Sequence, residues 1–112
     1  MLERCLEGLL HGTAHRALRI VVVDNGTTEP AALRLLRRHA ASGAIRHIAA
    51  PGPFNFSRLV NLGALGARGP VLLLNNDIEV IEPCWLTEML ACLALLLQAC
   101  VQAPPAQPPI IA

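Results

Sequence analysis

The sequence predicts an α/β fold, a parallel sheet with flanking helices, and three observations carry that prediction. Short apolar runs at 18–23, 45–49 and 71–74 alternate with stretches whose apolar residues recur at helical spacing. The runs at 18–23 and 71–74 read as strands covered on two sides, and 45–49 gives a weaker strand signal. Asp24 and Asp77 fall just beyond the first and third runs, at the strand edge where open parallel sheets bind ligands. With 112 residues the chain has room for one modest core.

The elements follow in order. Leu2, Leu6, Leu9 and Leu10, interleaved with Glu3, Arg4 and Glu7, predict an opening amphipathic helix. Leu18 to Val23 reads as a strand closed by Asp24-Asn25-Gly26. Asn-Gly can mark a hairpin, but Pro30 suits a first helical turn and Leu33, Leu36 and Ala40 repeat helically, so strand, loop, helix is the better reading. Ser42-Gly43 stops that helix, Ile45 to Ala49 is a second strand, and Pro51-Gly52-Pro53 turns the chain. A third helix is expected from Ser57, its cap, to Ala67. Val71 to Leu74 reads as a third buried strand, Ile78 to Ile81 as a short extended piece, and Pro83 as the opening of an apolar helix over 84–101. A proline-rich tail, 103–109, follows.

Composition narrows the function. Hydrophobic residues are 54% and charged ones 15%, so apolar surface should remain uncovered, which predicts self-association through the last helix. Nine arginines against eight acids make no basic run, which argues against nucleic acid as a partner. Cys5, Cys84, Cys92 and Cys100 form no C-x-x-C pair and read as reduced thiols; His11 and His15 straddle Gly12 and do not read as a metal pair. The longest apolar stretch, Met89 to Leu97, falls short of the ~20 residues of a membrane span, and Glu3, Arg4 and Glu7 spoil a signal peptide. The expected location is cytoplasmic.

Two acids hold the chemical interest. Asp77, after Asn75 and Asn76, could give its carboxylate to a divalent cation that takes its other ligands from phosphate and water, or the three could simply turn the chain. Asp24 could accept hydrogen bonds from a ribose or a base, or cap the next helix; Gly26 lets backbone approach a ligand closely. Glu79, Glu82 and Glu88 read as solvent-facing acids, Arg34, Arg37 and Arg38 as a solvated helix face, Trp85 as a packing anchor, and Phe54 and Phe56 as a loop pair tucked against the core.

Read together, these segments resemble a known family. Val21-Val22-Val23-Asp24-Asn25-Gly26-Thr27-Thr28-Glu29-Pro30 is similar to the opening motif of family 2 glycosyltransferases. The blocks Pro51 to Ser57, Asn61-Leu62-Gly63, and Asn75 to Pro83 with Trp85-Leu86 follow in the order found in one bacterial branch. The resemblance implies a GT-A, Rossmann-like sheet and a nucleotide-sugar donor. It implies that Asp24 and Asn25 contact the nucleotide, that Asn61, Asn75 and Asn76 flank the donor, and that Asp77 ligates Mg²⁺ or Mn²⁺. Val60 stands where the family often has a basic residue. The family's first, central strand has no counterpart before Leu2, and its later catalytic acid and acceptor region, glycan or lipid-linked, have none after Leu90. Residues 1–91 are thus expected to be a partial nucleotide-sugar-binding half and 92–112 an addition of open role. No catalytic residue is assigned, and no transfer is expected from this chain alone. A nucleotide-binding remnant or an α/β interaction module is the alternative.

Overall fold

The structure, a computed structural model, describes the backbone of residues 1–100 and the side chains of 1–98. The expected tail and the last residue of the expected final helix lie outside the described residues. The described fold is α/β, with four helices and one two-stranded parallel sheet. It divides into two units, residues 18–73 and residues 1–17 with those from 74 on.

The 18–73 unit is built on β1 (Val21–Asp24) and β2 (Arg46–Ala49), paired in parallel with Val22 opposite His47 and Asp24 opposite Ala49. The β-branched run Val21-Val22-Val23 suits a pleated strand. Between the strands runs the α-helix Pro30–Ala41, here α2, with Pro30 in its first turn and Arg38 in its last, where a cation favours the dipole. It stops where the Ser42 hydroxyl donates to the His39 carbonyl at 2.9 Å and Gly43 turns with φ 76°. Leu36, His39, Ile45 and Ala50 are buried, and Arg34, Arg37 and Arg38 are exposed as expected.

After β2 comes α3 (Phe56–Ala64). Its cap is Asn55 rather than Ser57: the Asn55 Oδ1 accepts the Arg58 backbone N–H at 2.9 Å. The helix ends three residues before the expected Ala67, with Gly66 in the left-handed region at φ 79°. A Cβ on Gly63 would lie 3.0 Å from Val23 Cγ2, so this glycine lets α3 sit close on β1.

The expected third strand is not formed. Residues 71–74 pair with no strand, and the sheet ends at two members. A strand exists through its ladder, and an apolar run without a partner at hydrogen-bonding distance has none. Residues 78–81 likewise pair with nothing.

In the other unit, α1 (Leu2–Leu10) buries Cys5, Leu6 and Leu9, one stripe at helical spacing. The last helix, α4 (Trp85–Cys100), buries Leu86 and Leu93, seven apart, and crosses position 91 without a break. Met89, Leu95, Leu96 and Leu97 of the same helix are all exposed, matching the expected uncovered apolar surface. Among the described residues no helix is long and apolar enough to cross a membrane.

Candidate functional site

The loop that leaves β1 is organised by one carboxylate. The backbone N–H of Gly26 (3.0 Å), the backbone N–H of Thr27 (2.7 Å) and the Thr27 hydroxyl (2.7 Å) all donate to Asp24 Oδ1. The other oxygen, Oδ2, lies 3.1 Å from His47 Nε2. The Asp24 side chain is 8% exposed, and His47 is 21% exposed. Gly26 has φ 109°, which a side chain rarely tolerates, so its place in the turn is conformational.

Burial alone would push the Asp24 pKa up. The Thr27 hydroxyl and backbone N–H, the Gly26 N–H and His47 outweigh it and bring the carboxyl down to about 2. At neutral pH the group is therefore a carboxylate that can only accept hydrogen bonds.

Asn25 ties two loops together. Its amide nitrogen donates to the carbonyls of Ala50 (2.8 Å) and Gly52 (3.2 Å), fastening the loop after β1 to the loop after β2. Arg58 holds the same loop from the other side, its Nη2 donating to the carbonyls of Ala50 (3.2 Å) and Pro51 (3.4 Å). On this doubly tied loop Phe54 and Phe56 stand in solvent, 75% and 54% exposed, contrary to the expectation that they tuck against the core. Asn61 is an exposed residue of α3.

Asn75, Asn76 and Asp77 belong to the other unit, where all three are exposed and positions 76 and 77 form a turn. Cys5 lies beneath this turn, its thiol 3.8 Å from the Asn75 carbonyl oxygen. Burial first and the Asp77 charge second raise the Cys5 pKa, so this cysteine is a protonated, structural thiol. Among the described residues no three His, Cys, Asp or Glu side chains cluster to hold a metal. The donor set at this turn is one free-standing carboxylate with two amide neighbours, which suits a cation that keeps most of its ligands from phosphate and water.

A shallow depression of about 540 Å³ in this unit is lined by Glu3, Arg4, Glu7, Gly8, Glu79 and Val80, and includes none of the three turn residues. Glu79 is exposed and lies 4.0 Å from Arg4, a surface pair of small energetic weight. Trp85 anchors the start of α4: its indole N–H donates to Thr13 Oγ1 at 3.0 Å, and that buried hydroxyl donates to the Gly8 carbonyl at 2.9 Å.

The structure thus gathers Asp24 and Asn25 on one tied loop system, places Asn61 in the same unit, and places Asn75, Asn76 and Asp77 in the other. Sequence reasoning missed His47, Thr27 and Arg58. Alternation alone could not find His47, because whether it shares a sheet face with Asp24 depends on the register of the two strands.

Comparison with known proteins adds direction. Over 93 residues, 81% of its length, the chain is 36% identical to an uncharacterized protein, y4gI, of Sinorhizobium fredii, of which the match covers 10%. It is 32% identical over 92 residues, again 81% of the chain, to the O-antigen biosynthesis protein RfbC of Myxococcus xanthus, of which the match covers 7%. The chain therefore spans a tenth or less of the length of these relatives. No protein-family model matches it, and no solved structure does.

Proposed function

We propose that this chain forms the donor-nucleotide part of a family 2 glycosyltransferase that builds a cell-surface polysaccharide, and that it binds a nucleoside diphosphate. The observation that carries the reading is the Asp24–Thr27 loop at the carboxyl end of β1, held in one conformation by four contacts to a single carboxylate. A preorganised polar loop at that edge is what a nucleotide site in an α/β sheet requires. The similarity to an O-antigen biosynthesis protein supports polysaccharide synthesis as the setting.

The roles are assigned unit by unit. In the 18–73 unit the Asp24 loop takes the nucleoside, with Asn61 and the exposed rings of Phe54 and Phe56 as flanking contacts. In the other unit Asp77, helped by the carbonyls of Asn75 and Asn76, ligates Mg²⁺ or Mn²⁺. Such a cation supplies charge neutralisation to a leaving diphosphate. Inverting transfer also needs a general base for the acceptor hydroxyl, and Glu79, Glu82 and Glu88 have no partner arrangement that marks one.

Thermal unfolding with UDP, GDP or dTDP, each with and without Mn²⁺, tests this. A ligand that binds only the folded chain raises its stability by about 2.7 kcal/mol at a hundred times Kd. A rise with one nucleotide, and a separate rise with Mn²⁺ that Asp77→Ala removes, is the expected result. No rise with any pair would refute the reading.

A further inference from the structure

Asp24 is nearly used up by its own protein. Oδ1 accepts three hydrogen bonds and Oδ2 faces His47, with the side chain 8% exposed. The usual expectation for an acid in this place is direct contact with the nucleotide, and little of the carboxylate is left for it.

The partner has the opposite character. Because the Asp24 carboxylate can only accept, the short contact at 3.1 Å requires the proton on His47 Nε2. A neutral imidazole with its proton there presents Nδ1 as an acceptor. His47 keeps 21% of its side chain in solvent, and no described residue donates to or accepts from Nδ1. An imidazole whose tautomer and ring orientation are set by a buried carboxylate is the arrangement proteins use to aim the second nitrogen at something else.

We propose that His47, not Asp24, makes the direct hydrogen bond to the nucleotide in the 18–73 unit: Nδ1 accepts from a hydroxyl or ring N–H of the nucleoside, and Asp24 is the positioning residue that fixes the tautomer. This rests on the nucleotide-binding reading above and sharpens it to an atom.

Histidine ¹⁵N NMR on the full chain tests the proposal, with UDP, GDP and dTDP as probes. In the free chain at pH 8 the His47 ring is expected as the Nε2–H tautomer, and Asp24→Asn is expected to relax it toward a mixture. Adding the nucleotide that binds should shift the Nδ1 resonance, and His47→Phe should weaken binding about tenfold while the β1 and β2 amide resonances stay in place. An Nδ1–H tautomer in the free chain overturns the proposal without any ligand. Binding that leaves the Nδ1 resonance unmoved overturns the proposal and leaves the nucleotide-binding reading standing. Absence of binding by all three nucleotides overturns both.

Discussion

Substituting Asp24 by Asn removes one charge from the most connected side chain of the 18–73 unit and changes its shape very little. Asparagine can still offer Oδ1 to Gly26 and Thr27, so the loss falls on the charge-assisted part of those bonds and on the contact with His47. The carboxyl titrates at about 2 in the folded chain, against about 3.9 for an unperturbed aspartate. The full linkage value of that difference is about 2.5 kcal/mol. Asparagine keeps neutral versions of the bonds from Gly26 and Thr27, so the expected loss is about 1–2 kcal/mol. The folded pKa is the lower one, so this stabilisation is complete above about pH 5 and drains away as pH falls through the unfolded value toward about 2. Urea unfolding followed by circular dichroism at pH 7, 4 and 2.5 measures it. The gap between wild type and Asp24→Asn should be largest at pH 7, slightly smaller at pH 4 and reduced to about a third at pH 2.5. A gap that stays constant with pH would refute the assignment of the loop's order to the Asp24 charge.

Three further substitutions probe other joints. Gly8→Ala places a Cβ 2.8 Å from Val80 Cγ2 and 3.3 Å from the Val80 backbone nitrogen; the overlap should outweigh the ~1 kcal/mol gain in helix propensity and destabilise by about 1–2 kcal/mol, read by Trp85 fluorescence in urea. Asn55→Ala should cost about 1 kcal/mol through the lost cap of α3, whereas Ser57→Ala should be within about 0.5 kcal/mol of wild type, both by thermal melting. Trp85→Phe keeps the ring but leaves the Thr13 hydroxyl without its indole donor, with an expected loss of about 1 kcal/mol in the same melting assay.

The fold was legible where a local signal decided the structure. Val21-Val22-Val23 and the Pro30 start of α2 are local, and they form as expected. The run at 71–74 has the same composition as a strand and forms none, because pairing depends on a neighbour that composition does not reveal. The cap of α3 moved from Ser57 to Asn55 since both are good caps and the Pro51–Pro53 turn sets where the helix begins. For the site, Asp24 was visible as an acid at a strand end. Its partner His47 required the register of two strands 23 residues apart in the chain. The exposure of Phe54 and Phe56 was not legible, because an apolar side chain does not by itself say whether a core lies within its reach.

The measurement closest to the central claim is Mn²⁺ paramagnetic broadening of the backbone amide resonances, recorded with and without UDP. The account predicts UDP-induced shifts at Gly26, Thr27 and His47, and broadening by Mn²⁺ centred on Asn75, Asn76 and Asp77 that Asp77→Ala removes. Shifts confined to other segments, or broadening that persists unchanged in Asp77→Ala, would contradict it.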